Sequence, residues 1–355
     1  MKNNDQSHEE DAATNSSSIN QLPDEIILQI LNKLIDLKTL CICHLVSKRF
    51  SSIILQIDTI SFIAPLITTA NSDNNTSGDF NTKNLFWSLI NGAVFKPINL
   101  LRRIVLPYSK PLPPIISSFY GDSFRSAVSF LSKFRSVKSL SIELPCSNHK
   151  GIDHNCLFKW NAVFGTRIES FMFLSPNGVY VNTKFEEMEE NNTNMDGIEP
   201  SIDSFKRKVH IAFQCLKDVI VRHRMLLYFI KDHLSLEKVS ISDSGRRGRL
   251  CLSGGRLAEV REWIHSSPDD AKLKLNRIEV PVNVNQCYVP VLKLPVSGCV
   301  MKGVTFVVMR MNNVEGENGC FVNVDDVFED DLEAAYSEAV MEILENHQNK
   351  MKRLL

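Results

Sequence analysis

The chain has 355 residues, 43% hydrophobic and 23% charged, which is ordinary for a folded protein of one large or two moderate domains. Forty Lys and Arg against 41 Asp and Glu leave a net charge of −1, so there is no global basic field to favour a nucleic acid or a membrane surface as partner. Nine cysteines without an even framework of spacings exclude a disulfide scaffold, and no apolar run approaches the roughly 20 residues that cross a bilayer.

Residues 1–18 are polar and acidic, read as disordered, and lack the apolar segment of a signal peptide. The nucleus and/or cytoplasm is therefore the expected compartment, with the sequons at Asn74, Asn75 and Asn191 unused. Residues 19–58 then hold three short helical patterns. Asn20 is a candidate cap, Pro23 stands near the first helical position, and Asp24 and Glu25 supply the charge that a helix N-terminus prefers. Ile26, Ile27, Ile30, Leu31 and Leu34 recur at helical spacing. Asp36 caps a second helix carrying Leu37, Leu40, Cys41 and Leu45, and Ser47 opens a basic turn that runs through Lys48 and Arg49 to Phe50, Ile53, Ile54 and Ile57. So small a unit has more apolar faces than it can bury alone, which points to a protein partner.

Leu-Pro, an Ile/Leu-rich helix, Leu40, and then Val46-Ser47-Lys48-Arg49-Phe50 follow in an order that closely resembles the F-box. The resemblance implies docking on a Skp-type adaptor through Leu22, Pro23, Ile26, Ile30, Leu31, Leu34, Leu40, Val46, Lys48 and Phe50, by the helix-in-groove mode.

From Ile57 on, and through the substrate-receptor domain expected over residues 59–329, a pattern of the form apolar-x-x-apolar-x-apolar recurs. It appears as Ile57-Ile60-Phe62, Leu101-Ile104-Leu106, Val137-Leu140-Ile142 and Ile168-Phe171-Phe173, then as Leu236-Val239-Ile241, Leu275-Ile278-Val280 and Met301-Val304-Phe306. Helical stretches at Phe124–Phe134 and Arg222–Leu234 precede two of these strands, which argues for an array of parallel strands with helices on one face. The expected fold is α/β: a three-helix F-box, an irregular leucine-rich-repeat-like strand/helix array, and a C-terminal capping helix over 330–355 in which Leu332, Tyr336, Val340, Ile343, Leu344 and Met351 share a face. Residues 71–84 and 185–199 read as polar and acidic loops within the array. Arg246, Arg247 and Arg249 form a basic cluster that reads first as a solvated turn and second as a contact for an acidic substrate.

Cys146, His149, His154 and Cys156 are four potential zinc ligands within eleven residues, but their spacing matches none of the usual finger patterns, so no metal is expected. There is no nucleophile elbow, Walker loop or dinucleotide fingerprint, and neither catalytic residues nor cofactors are expected.

The FKPINLLRRI segment from Phe95, the helix around Val221-Arg222-His223-Arg224, the strand LEKVSISDS with RLCLSGGRL after it, and the final EAVMEILENHQNKMKRLL are similar to the auxin up-regulated F-box proteins of plants. This resemblance implies a non-catalytic substrate-recognition subunit of an SCF (Skp–cullin–F-box) ubiquitin ligase. The adaptor would link it to a cullin–RING core, the strand face or the loops above it would hold an unknown target protein, and the setting would be auxin or another hormone response. Two alternatives stand beside it: an adaptor-bound scaffold that delivers no target, and a receptor that senses a small-molecule hormone.

Overall fold

The structure, a computed structural model, describes residues 21–64, 124, 127–145, 156–181, 202–266, 279–311 and 331–354. Asn20, the two loops at 71–84 and 185–199, the pattern at Leu101–Leu106, Leu275–Ile278, and Cys146, His149 and His154 lie outside the described residues.

Three short helices open the chain: α1 (Asp24–Leu31), α2 (Leu37–His44) and α3 (Lys48–Ile54). They lead straight into β1 (Thr59–Ile63), which pairs in parallel with β2 (Ser139–Leu144). After β2 come β3 (Lys159–Phe164), β4 (Ile168–Ser175), β5 (Gly178–Val181) and a 31-residue helix α4 (Ile202–Asp232), about 46 Å long at 1.5 Å per residue. The chain continues through β6 (Lys238–Asp243), β7 (Arg249–Ser253), α5 (Gly254–His265), β8 (Asn283–Leu294), β9 (Cys299–Arg310) and α6 (Asp331–Asn346), and ends in β10 (Lys352–Arg353).

These elements make two sheets. The first has the order β1-β2-β6-β7, parallel except for β7. The second is antiparallel, in the order β10-β8-β9-β4-β3, with β5 also on β9. Helix α4 touches β6 and β7 of the first sheet and β3, β4 and β9 of the second, so it is the layer between them. Ala335, Tyr336, Ala339, Ile343 and Leu344 of α6 close a separate core on the far face of the second sheet, with Phe306 and Val308 opposite.

The expected repeat is found in three places. Ile57-Ile60-Phe62, Val137-Leu140-Ile142 and Leu236-Val239-Ile241 align residue for residue, with Ile60, Leu140 and Val239 side by side across β1, β2 and β6. The other two described patterns, in β4 and β9, instead pair antiparallel with each other in the second sheet. Both of these strands are buried on both faces, one against α4 and the other toward α6, so their apolar character follows from double burial rather than membership of the array.

The C-terminal helix also ends earlier than expected, at Asn346. A 3-10 turn (Gln348–Lys350) follows, and Lys352 and Arg353 then add an edge strand to β8. Leu332 is exposed rather than part of the capping face, because Ala335 and Ala339 let the helix approach the sheet along a neighbouring stripe.

Helix α4 extends twenty residues further N-terminally than the stretch read from Arg222, and its interior is polar as well as apolar. Lys208 is buried where β4 breaks off before β5, and its ammonium donates to Ser175 O (2.9 Å), Asn177 Oδ1 (2.7 Å) and Gly303 O (3.0 Å), using all three protons. Burial lowers its pKa to about 8. Gly303 faces Asn177 at φ +57°, a conformation and a closeness that exclude any side chain. Further along, Arg222, 2% exposed, stands 3.6 Å from the buried Asp243 Oδ2 and 5.3 Å from the Trp160 ring centroid, joining α4 to both sheets. Among the described residues no helix is long and apolar enough to cross a membrane.

Candidate functional site

Of the first three helices, α2 and α3 are capped by side chains and α1 by a backbone carbonyl. Pro23 stands just before α1 with ψ 151°, and its carbonyl accepts from Ile26 N (3.1 Å) and Ile27 N (3.2 Å). Asp36 accepts from the N–H and hydroxyl of Thr39, both at 2.9 Å, starting α2. Ser47 accepts from Phe50 N at 3.2 Å, so the expected basic turn is the start of a third helix. Arg49 then bridges α3 to the beginning of α1: its guanidinium pairs with Asp24 at 2.6 Å and donates to Leu22 O. The pair is exposed and contributes no more than about 1 kcal/mol, so its main effect is orientation.

The module is joined to the rest of the chain on one side. Ile27, Leu31, Leu37, Leu40, Ile53, Ile54 and Ile57 are buried in the same core as β1, β2, β6 and α4. Ser61 N donates to Ile35 O at 2.7 Å, so the α1–α2 connection covers the outer edge of β1. His44 shares a hydrogen bond with Ser51 (2.9 Å) and meets the Phe130 ring edge-on at 5.3 Å.

The other side is bare. Ile26, Ile30, Leu34, Ile35, Ile42 (60% exposed), Leu45 (80%) and Val46 (65%) all face solvent. Ile26 and Ile30 lie one turn apart on a single ridge of α1, and the adjacent ridge, Ile27 and Leu31, faces the core. Seven exposed aliphatics within 21 residues is far more than isolated surface leucines and isoleucines would give.

Of the residues expected to meet an adaptor, Pro23, Ile26, Ile30, Leu34, Val46 and Lys48 are exposed, while Leu22 and Phe50 are half-buried against the core. Leu31 and Leu40 are a correction. At 2% and 0% exposed they belong to the chain's own core and present nothing to a partner. Ile35, Ile42 and Leu45 are not among the residues expected to meet an adaptor, and Leu45 is expected only as a residue carried by α2. It is in fact the residue that ends α2, and Ile42 is out of phase with Leu37 and Leu40. That phase was readable in the spacing.

The large domain buries His223 and His233 against backbone carbonyls. His223 Nε2 donates to Gly165 O at 2.8 Å, since a carbonyl can only accept, and burial pushes its pKa down to about 4. His233 lies against the carbonyls of Phe229 and Leu131, each at 3.3 Å. Cys156, the described member of the four candidate zinc ligands, is a half-buried free thiol. No group of three or more potential metal ligands occurs among the described residues.

A family model described as F-box-like matches residues 19–59. Beyond that segment, the chain is 30% identical over 329 residues to the F-box protein At4g18380 of Arabidopsis thaliana, covering 83% of this chain and 84% of that one. The chain belongs to the plant F-box proteins. This F-box protein is also 27% identical over 344 residues to F-box protein AUF1 of Arabidopsis thaliana, covering 93% of this chain and 97% of the relative, and F-box protein AUF2 matches to the same extent. The resemblance to the auxin up-regulated F-box proteins therefore spans nearly the whole chain. No solved structure matches. F-box proteins in general are non-catalytic substrate adaptors of SCF ubiquitin ligases, and an F-box implies a Skp-type adaptor as partner.

Proposed function

We propose that this F-box protein is the substrate-recognition subunit of an SCF ubiquitin ligase, acting in the nucleus and/or cytoplasm. The observation that carries the reading is the two-sided F-box: one side is buried in the chain's own core, and the other exposes Ile26, Ile30, Leu34, Ile35, Ile42, Leu45 and Val46. Such a face is built for a groove on a Skp-type adaptor, and through it for the cullin–RING core. The larger domain holds the target. Its first sheet presents a polar, small-residue face, with Ser61, Ser141, Ser240 and Cys251 in one row across four strands. Function is by proximity: holding the target raises the effective concentration of its lysines beside the charged conjugating enzyme, and this chain performs no bond chemistry. The likeness to AUF1 and AUF2 supports a setting in auxin or another hormone response. The free thiols at all seven described cysteines fit a reducing compartment.

Co-purification with a Skp-type adaptor tests the reading, comparing the wild type with Ile30→Asp/Val46→Asp. Both side chains are exposed, so the fold survives the change. Adaptor held by the wild type and lost by the variant is the expected result. Adaptor absent from both, or retained by both, overturns it.

A further inference from the structure

We propose that the turn joining β6 to β7 is an anion-recognition site that takes an acidic segment of the target protein, its charge supplied by phosphate or by clustered carboxylates. The inference rests on the substrate-receptor reading and names the chemistry of the substrate.

Three cations meet at this turn. Arg246 is exposed, Arg247 lies with its guanidinium 4.5 Å from the Phe158 ring centroid, and Lys159 reaches over from β3 to donate to the Arg246 carbonyl. Among the described residues none of the three pairs with a carboxylate. Arg222 of α4 is buried against Trp160, its charge is offset by Asp243, and its Nε has no hydrogen-bond partner. Nearby carboxylates are Asp243, Asp218 and Glu143, the last paired with Ser242 across β2 and β6. Asp243 is engaged with Arg222 and with the turn's own backbone, and Asp218 stands on α4.

The backbone gives an independent sign. Arg246 has φ 48°, the left-handed region that side chains other than glycine rarely occupy, and it is the one described non-glycine residue there. Glycine at this position would remove the strain. Backbone strain of this kind gathers at binding sites. The strained turn is also held rigid. Arg246 N donates to Asp243 O at 3.0 Å, Arg247 N to Asp243 Oδ1 at 2.9 Å, and Trp160 N to Arg247 O at 2.9 Å, while Gly248 lies so close to Trp160 that a Cβ has no room. The guanidinium groups are thus presented from a fixed frame, which lowers the entropy lost on binding. The turn lies at the carboxyl end of parallel strand β6, where open α/β sheets place their ligands. Paired arginine forks match phosphate and carboxylate oxygens two at a time, which is how arginine clusters read acidic and phosphorylated motifs.

The test is fluorescence anisotropy with the full-length chain and three fluorescein-labelled probes: hexaglutamate, hexaglutamine, and a Gly/Ser hexapeptide carrying two phosphoserines. At least one acidic probe is expected to bind tenfold or more tighter than hexaglutamine and to weaken as salt rises. Preference between the two acidic probes identifies the charge. Arg246→Gly is expected to lower that affinity at least fivefold while the Tm holds or rises, because glycine relieves the strained backbone. Lys159→Gln/Arg247→Gln is expected to lower affinity as well. Acidic probes bound no more tightly than hexaglutamine, or an Arg246→Gly variant with wild-type affinity, overturns the proposal. Duplex DNA or phosphatidylserine vesicles bound in preference to both acidic peptides overturns it too. Adaptor co-purification from the same preparation reads the F-box separately. Adaptor retained without any acidic-probe preference removes this site and leaves the receptor reading standing.

Discussion

At the scale of single residues, α4 buries polar groups that most cores exclude. His223 shows what this does to stability. Its pKa in the folded chain is pushed down to about 4 by burial, against 6.5 when free, with the Gly165 carbonyl opposing the shift. Between those values the unfolded chain takes up a proton that the folded chain refuses. The contribution is therefore complete above pH 6.5 and is lost as pH falls toward 4, a difference of about 3 kcal/mol. Urea unfolding at pH 7.5 and pH 5 should show about 2 kcal/mol of this loss. In His223→Gln, whose amide can still donate to Gly165 O, the fall between the two pH values should be smaller. An equal fall in both proteins would show that His223 is not its source. None of these burials was legible in the sequence. Lys208, Arg222 and His223 carry the residue types of a solvated face, and only the acceptors that reach them from β4, β9, the β3–β4 turn and β6 make burial tolerable.

At the scale of elements, legibility followed burial. Strands with one buried face alternate in sequence, so Ile57-Ile60-Phe62 and its two in-register partners could be read correctly as a repeated parallel unit. Strands β4 and β9 are buried on both faces and read as runs such as FMFL and FVVM, and such runs say strand without saying which neighbour or which direction. The same reasoning divides the F-box. Its existence and order were plain, and the phase of Ile42 could be read from the spacing, while the burial of Leu31 and Leu40 depended on the core that the F-box shares with the first sheet. The hairpin of β8 and β9 carries a further prediction. Glu338 of α6 accepts from Val296 N (2.6 Å) and Ser297 N (2.8 Å) at the hairpin tip. Partial burial works against its charge, yet the Ser297 hydroxyl and these two N–H groups prevail and hold the carboxyl below its ordinary range. The anchor is thus present above the usual carboxylate pKa and is lost as pH falls through the lower, folded value. Hydrogen exchange at Val296 and Ser297 should be faster in Glu338→Gln than in the wild type at neutral pH, with the amides of β2 unchanged. Equal exchange at the tip would show that Glu338 does not hold it.

At the scale of the whole molecule, the F-box and the first sheet share one core, with the α1–α2 connection bonded along β1. A chain beginning at Thr59 would lose Ile53, Ile54 and Ile57, which are buried in the core shared with the first sheet. Such a truncated chain should melt at least about 10 °C below the full-length protein, or fail to give a cooperative transition, since the loss includes several fully buried aliphatics worth about 2 kcal/mol each or more. A cooperative transition at the full-length Tm would show that the two parts fold independently.

The covered edge of β1 has a mechanical meaning as well. A receptor whose adaptor-binding helices hang from a flexible linker sweeps its target through a wide cone, and any lysine within reach can be modified. Here the loop at Ile35 and Asp36 is stitched to Ser61, so the adaptor-binding helices are fixed to the edge of the first sheet instead of hanging from a linker. Under the proposed function, such a fixed attachment would select the modified lysine by where it stands on the bound target, and a target with its lysines on the wrong side would be held without being marked.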